Sequence, residues 1–277
     1  MKVNLTCCSA QHPAAHASAA PALKHLSLGL AQGEQVAIIG PSGAGKTTLL
    51  QVMACALKPT EGKLLLDQRD PWRLSRPALQ RLRGQLFLAP QVPPLPPRQR
   101  VITAVLAGLL PGMGLWASLS NLLYPRHLEL AEAALARFDL ADKLFDRVDR
   151  LSGGERQRVG LARLVVANAK LLLVDEPLSA LDPERARQAC ESLTTVAREQ
   201  HATLVATLHH VEMALQHFPR IIGLRDGELA FDLPAAQVTP ERLQALYAQH
   251  LHELTGPARE PLDLPAAPVL PAVMHCR

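Results

Sequence analysis

Residues 35–47 read Gln35-Val36-Ala37-Ile38-Ile39-Gly40-Pro41-Ser42-Gly43-Ala44-Gly45-Lys46-Thr47. The apolar run ends at a glycine, the pattern of a short strand buried inside a sheet. Gly40 to Thr47 then spells G-x-x-x-x-G-K-[ST], a loop that cradles phosphate. The chemistry dictates the spelling. The nucleotide-binding loop comprises Gly40, Pro41, Ser42, Gly43, Ala44 and Gly45. Its backbone N–H groups, which Pro41 lacks, must point inward at phosphate oxygens, and glycine permits that approach. A helix beginning at Lys46 turns its positive end toward the anion. Lys46 reaches the β- and γ-phosphates and the Thr47 hydroxyl ligates Mg²⁺. Thr48 follows in the first helical turn and completes the nucleotide-binding set. The loop specifies a nucleoside triphosphate but not a reaction, since kinases, GTPases and motor ATPases all carry it.

A second apolar strand, Leu171-Leu172-Leu173-Val174, ends on Asp175-Glu176. Ligands bind at the carboxyl ends of strands in an open α/β sheet. Neighbouring strand residues point to opposite faces, so the two acids have different roles. Asp175 suits Mg²⁺ binding, directly or through water. Glu176 suits polarisation of an attacking water. Further strands are expected at Lys63–Leu66 with Gln85–Ala89 as a pair, at Leu204–Leu208 and at Ile221–Leu224. Residues 1–35 read as short strands with a turn at Gln32-Gly33. Helices are expected over Lys46–Leu57, 126–150, Glu155–Asn168 and Pro183–Gln200. Strands alternating with helices make a mostly parallel α/β sheet. The segment from Gln91 to Arg150 breaks the alternation and reads as an inserted helical subdomain, about 92–150. Its start, VPPLPPR, holds four prolines and cannot be helical.

Leu151-Ser152-Gly153-Gly154-Glu155-Arg156-Gln157-Arg158 sets a serine and two glycines at a helix start. That is a second anion cradle. One nucleotide rarely needs two, so this cradle is expected to serve a nucleotide held by another subunit. Here the sequence resembles the ATP-binding subunits of ABC transporters. The LSGGERQR stretch is similar to their signature motif. Gln91, in LAPQ, resembles the Q-loop glutamine. Ser179-Ala180-Leu181-Asp182 resembles the D-loop, and His209, in ATLHH, the switch histidine. The resemblance covers about residues 20–250. It implies a P-loop NTPase core with antiparallel N-terminal strands, within one ATPase domain over 1–254.

The resemblance also implies the mechanism. Two copies would enclose two ATP molecules, each between one chain's phosphate loop and the other's Leu151, Ser152, Gly153, Gly154 and Glu155. Thr47, Asp175 and Gln91 would attend Mg²⁺. Glu176 would orient water, His209 would contact the γ-phosphate, and Gln91 would report its presence to a partner. Asp182 would lie in the D-loop at the subunit contact. The family stacks an aromatic ring on adenine upstream of the phosphate loop. No Tyr, Phe or Trp precedes Trp72, so His16 is the candidate by spacing.

Within the family the chain is most similar to the ATPases of phosphonate importers. The similarity lies in Val105-Leu106-Ala107-Gly108, the Ser118 to Leu123 segment, Phe138-Asp139-Leu140-Ala141-Asp142-Lys143, Leu208-His209-His210-Val211 and Arg220 to Gly227. The 108–122 stretch lacks the basic residues usual in that subfamily. The implied partners are separate membrane-spanning permease chains, with a periplasmic binding protein reached through them. The implied place is the cytoplasmic face of the inner membrane. Release of lipids or lipoproteins, transport of another solute, and a non-transport ATPase on ribosomes or DNA remain the alternatives. The last of these usually brings two cassettes or a long coiled-coil insertion, and neither is seen.

Composition narrows the remaining classes. Of 277 residues, 48% are hydrophobic and 19% charged, which excludes a wholly disordered chain. The five cysteines (7, 8, 55, 190 and 276) show no CxxC spacing, so neither a disulfide framework nor a zinc site is expected. A net charge of +4 without a clustered basic stripe argues against a nucleic-acid partner. The densest basic stretch, Arg69–Arg83, reads as a solvated helix face. Residues 101–125 carry no charge, but Gly108, Pro111, Gly112 and Gly114 interrupt the run. A helix, a Gly/Pro turn and an apolar surface for a partner are expected there rather than a membrane span. The N-terminus has no apolar signal core. From Thr255 onward prolines recur, and a poorly ordered tail over 255–277 is expected.

Overall fold

The computed structural model describes residues 1–12, 20–114, 116–118 and 127–248. Strands β1 (Val3–Ala10), β2 (Leu23–Leu30) and β4 (Glu61–Leu66) form an antiparallel sheet in the order β2-β1-β4. A second sheet holds β3 (Gln35–Ile39), β5 (Leu86–Ala89), β6 (Leu171–Asp175), β7 (Thr203–Thr207), β8 (Arg220–Arg225) and β9 (Glu228–Pro234). Its order is β5-β6-β7-β3-β8-β9. The first five strands are parallel, and β9 returns antiparallel to β8. The α/β class and the antiparallel N-terminal strands are as expected.

The helices are α1 (Lys46–Met53), α2 (Arg76–Arg83), α3 (Val101–Leu106), α4 (Leu128–Ala136), α5 (Gly153–Ala167), α6 (Pro183–Glu199), α7 (Val211–His217) and α8 (Pro240–Leu246). Among the described residues, no helix is long and apolar enough to cross a membrane.

The large sheet is buried on both faces, which is why its central strands read as continuous apolar runs. Alternation assigns each side chain. Val36, Ile38, Leu171 and Leu173 face the core beneath the small sheet and α1. Ala37, Ile39, Leu172 and Val174 face the core made with α3 to α8. α1 packs beside β6 and β7, whereas α5 packs on α3 and α4. The two anion cradles thus stand on helices of different layers.

Four sequence expectations need correcting. Lys63–Leu66 and Leu86–Ala89 are not a pair, because they belong to different sheets. Strand-forming residues on either side of a helix do not reveal which partner they find. α1 stops at Met53, not Leu57, because Cys55 turns to φ 55°. The Arg83 guanidinium donates to the Cys55 carbonyl at 2.7 Å and fixes that turn.

Residues 126–150 are not one helix. α4 ends at Ala136, and two 3₁₀ turns follow at Ala141–Lys143 and Val148–Arg150. Arg158 donates to the Phe138 carbonyl at 2.6 Å, which gives the chain leaving α4 a tertiary partner. The N–H groups of Val101 and Ile102 bond to the carbonyls of Asp146 and Leu144, so the turn at 144–146 is held against the start of α3. The fourth correction adds β9. Its turn, Asp226-Gly227, has positive φ at both residues, 52° and 83°. That is the geometry Asp-Gly favours in a tight hairpin.

The expected strands at 171–174, 204–208 and 221–224 and the helices at 155–168 and 183–200 match within about two residues. The Arg69–Arg83 stretch is helical only at Pro71–Arg73 and Arg76–Arg83, and α7 and α8 add to the expected set. The proline run 93–97 is neither helix nor strand. Residues 101–114 form α3 and a 3₁₀ turn through Gly112. The rest of the uncharged stretch is described only at 116–118, where Trp116 is 82% exposed. His16 and the 255–277 tail lie outside the described residues.

Candidate nucleotide site

The site follows from strand order. β3, β7 and β6 are neighbours, and all run the same way. Their carboxyl ends therefore deliver three chain segments to one edge: Gly40 after β3, Leu208-His209 after β7, and Asp175-Glu176 after β6. Brought together from positions far apart in sequence, these are the phosphate loop, the histidine and the paired acids.

The loop's geometry needs its glycines. Gly40, Gly43 and Gly45 have φ of 152°, 82° and 97°, a region that L side chains enter at a cost. A Cβ at Gly40 would lie 2.0 Å from the Leu224 carbonyl oxygen. One at Gly45 would lie 2.4 Å from that of Ala22. Lys46 is buried, and its ammonium donates to the carbonyls of Gly40 (2.7 Å) and Pro41 (3.1 Å). It closes the loop on itself, with its charge held where an incoming phosphate can take it. Ser42, Gly43 and Thr47 are exposed, while Pro41, Ala44 and Thr48 are buried.

Asp175 is buried, and burial pushes its carboxyl above the ordinary value. Hydrogen bonds from Thr207 and Thr47 act in the opposite direction, as does the charge of Lys46. The Thr207 hydroxyl donates to Asp175 Oδ1 at 2.6 Å and accepts from the Glu176 N–H at 2.9 Å. Glu176 leaves the strand with φ 47°, an uncommon region for a residue with a side chain. Its carboxylate meets His209 Nε2 at 2.6 Å. Gln157 donates to the Glu176 carbonyl at 2.9 Å and accepts from the Ala180 N–H at 3.2 Å. One amide thus ties the backbone at Glu176 to the turn at Ala180.

Thr47 and Asp175 are in hydrogen-bond contact. That hard-oxygen pair beside a phosphate cradle fits Mg²⁺, which takes few protein ligands and fills its shell with phosphate and water. Among the described residues no group of three His, Cys, Asp or Glu could hold a metal alone. Gln91 is half-buried at the head of the proline segment.

The second cradle is built as a capped helix start. Ser152 N–H donates to Glu155 Oε2 at 2.7 Å, and Glu155 N–H donates to Ser152 Oγ at 3.2 Å. This reciprocal box satisfies two otherwise orphan donors. The Ser152 N–H and then its hydroxyl hold the Glu155 carboxyl below its usual value. The two glycines differ. Nothing lies within 4 Å of a Cβ at Gly153, but one at Gly154 would meet the Ala180 carbonyl oxygen at 2.8 Å. Gly154 therefore admits the Ala180 backbone, and Gly153 faces open space. Leu151 is buried. Asp182 caps α6, accepting from the Arg185 N–H at 3.0 Å.

Sequence reasoning missed Thr207, Gln157 and Tyr247. Thr207 was legible in hindsight: it precedes the histidine by two, on the strand beside Asp175. Gln157 sits inside the signature stretch without declaring its partners. Tyr247 is 1% exposed, and its hydroxyl accepts from the Gly40 N–H at 3.1 Å from 207 residues away.

Comparison with known proteins gives a consistent picture. A family model described as "ABC transporter" matches residues 23–179. The chain is 73% identical over 277 residues to the phosphonates import ATP-binding protein PhnC of Polaromonas sp., with all of both chains covered. It is 70% identical over 278 residues to PhnC 2 of Albidiferax ferrireducens, again covering all of both. Among solved structures it is similar to the dimeric bacterial ABC transporter cassette MJ0796. The identity is 27% and the TM-score 0.73, with 84% of this chain and 98% of that one covered. The same cassette in a post-hydrolysis dimer bound to ADP and Pi matches with a TM-score of 0.71 at 27% identity.

Proposed function

The chain belongs to the ABC transporter family, and from that premise we propose that it is the ATP-hydrolysing subunit of a phosphonate importer. The observation that carries the substrate reading is the 73% identity, along the entire chain, with a phosphonates import ATP-binding protein. One ATPase domain over 1–254 is part of the same proposal, with residues 92–150 as its helical insert.

The chemistry follows from the site. Lys46 exchanges the Gly40 and Pro41 carbonyls for phosphate oxygens when ATP enters. The loop N–H groups from Ser42 to Thr48 take the remaining phosphate charge. Thr47, Asp175 and Gln91 would hold Mg²⁺, which when bound neutralises phosphate charge in the transition state. Glu176 orients a water in line with the γ-phosphate and accepts its proton. His209, now on the Glu176 carboxylate, holds that base in place and can turn its ring N–H toward the γ-phosphate. Such catalysis is positioning and electrostatics.

Gly153 and Ser152 stand ready for a nucleotide on a second copy. The solved relative with ADP and Pi is itself a dimer. Exposed Val92 and Trp116 lie in the proline segment and the insert. Their apolar surfaces suit a membrane-spanning permease at the cytoplasmic face of the inner membrane, with a binding protein on the far side. Closing on ATP and opening after hydrolysis would give the permease two states.

Glu176→Gln is expected to keep ATP binding and lose most turnover, and Lys46→Ala to weaken binding. Wild-type turnover in the first would sink the assignment of Glu176. The partner reading is tested by capturing tagged Glu176→Gln from solubilised membranes with ATP and identifying co-purifying chains by mass. A multi-spanning permease with a phosphonate-binding protein encoded beside it supports the proposal. Only ribosomes, DNA or soluble partners would overturn it.

A further inference from the structure

We propose that Tyr247 is a positioning residue for the phosphate loop, coupling the C-terminal helix to nucleotide affinity through Gly40. The inference rests on the ATP-binding reading above and adds a residue far from every motif. Gly40 is gripped on two sides. Its α-carbon faces the Leu224 carbonyl so closely that a Cβ would sit 2.0 Å from that oxygen. Its N–H, buried, donates to the Tyr247 hydroxyl at 3.1 Å. Its own carbonyl accepts from Lys46 Nζ at 2.7 Å. The phenol holds the peptide before the Gly40 α-carbon and the Lys46 ammonium holds the one after it, so the two groups grip one residue, and Lys46 is the phosphate-binding group.

Tyr247 is itself firmly placed. It directly follows α8, whose Thr239 cap accepts from the Arg242 N–H. Its own N–H donates to the Leu243 carbonyl at 3.0 Å. Arg225, at the end of β8, donates to the Ala245 carbonyl at 2.8 Å. Leu246 and Tyr247 are both buried in the core that α3 to α8 share with the large sheet. The phenol is therefore a fixed point against which Gly40 is set, not a surface side chain that happens to touch it.

Removing the hydroxyl leaves the Gly40 N–H buried without its partner, a state proteins avoid. The loop then spends part of its time out of register, and apparent affinity falls with the competent fraction. By reciprocity, ATP must tighten α8.

The test compares wild type, Tyr247→Phe and Leu82→Ala by ATP-analogue titration, steady-state ATPase and thermal melting. Tyr247→Phe is expected to raise Kd and KM about tenfold, equivalent to ~1.4 kcal/mol. Its kcat should stay within about twofold, because the phenol touches no reacting atom. Leu82→Ala removes a buried side chain from α2, in the core that Tyr247 does not share, and should lower Tm and leave KM unchanged. An unchanged KM in Tyr247→Phe overturns the proposal, and so does an equal KM shift in Leu82→Ala. If Tyr247→Phe does not fold, hydrogen exchange on the wild type decides: ATP must slow exchange over 240–247, and no slowing overturns the coupling. Failure of the wild type to bind ATP would instead overturn the functional reading.

Discussion

Replacing Thr207 by valine keeps the shape of the side chain and deletes its hydroxyl. Two bonds go at once: the 2.6 Å donation to Asp175 and the 2.9 Å acceptance from the Glu176 N–H. A hydrogen bond to a charged group is worth about 1.5–3 kcal/mol, and an unpaired buried N–H costs about 1–3. About 3 kcal/mol is a fair sum for two bonds sharing one oxygen. For a chain of this size that lowers Tm by about 6–10 °C.

The loss should depend on pH. Burial already raises the Asp175 carboxyl above its unfolded value. The native state therefore binds more protons than the unfolded one in that window, and stability falls as pH rises through it. Valine removes a bond that favours the charged form and pushes the carboxyl further up. The Tm difference between Thr207→Val and wild type should accordingly be larger at pH 8 than at pH 4. Turnover should drop at least tenfold, because Glu176 at φ 47° loses its anchor, while ATP affinity changes little. Thr207→Ser restores the oxygen and should recover most of both. Melting scans at the two pH values and a coupled ATPase assay suffice. A Tm within about 2 °C of wild type, with full turnover, would refute the reasoning.

Further predictions follow from the same geometry. Gly154→Ala forces a Cβ against the Ala180 carbonyl oxygen and should cost about 1–3 kcal/mol in a urea titration. Gly153→Ala meets nothing within the chain, so Tm should hold while ATP-driven dimerisation weakens. Undiminished dimerisation by light scattering would remove Gly153 from the partner's nucleotide site. The Ser152–Glu155 box contributes stability above the unfolded pKa of Glu155 and loses it as pH falls through the lower folded value. Amide exchange at 153–156 should therefore accelerate, relative to the base-catalysed trend, below about pH 4.5. Among the described cysteines, burial pushes Cys55 and Cys190 up to about 12, while Cys7 is exposed. Mild alkylation at neutral pH should label Cys7 and spare Cys55 and Cys190 until urea is added, as read by peptide mass.

Much of this was legible in the sequence because it is local chemistry. Gly40–Thr47 names its own conformation: the three positive-φ glycines and the lysine must stand in that order for N–H groups to converge. The apolar runs ending at Gly40 and Asp175 declare strands buried on both faces. Ser152 and the two glycines before Glu155 declare a helix start. Each depends on neighbours within a few residues, so spacing suffices.

What only the tertiary structure decided depends on who meets whom. The order β5-β6-β7-β3 places Thr207 between Asp175 and the phosphate loop, and no single strand states its place in that order. Gly154 looks like a phosphate-cradle glycine yet makes room for Ala180. Lys63–Leu66 and Leu86–Ala89 look like partners yet lie in separate sheets. Tyr247 reaches Gly40 across 207 residues. A local pattern constrains φ and ψ and the side of an element that faces inward. It leaves open which distant group fills the space there, because close packing and the pairing of buried polar atoms are settled only when all the layers close together.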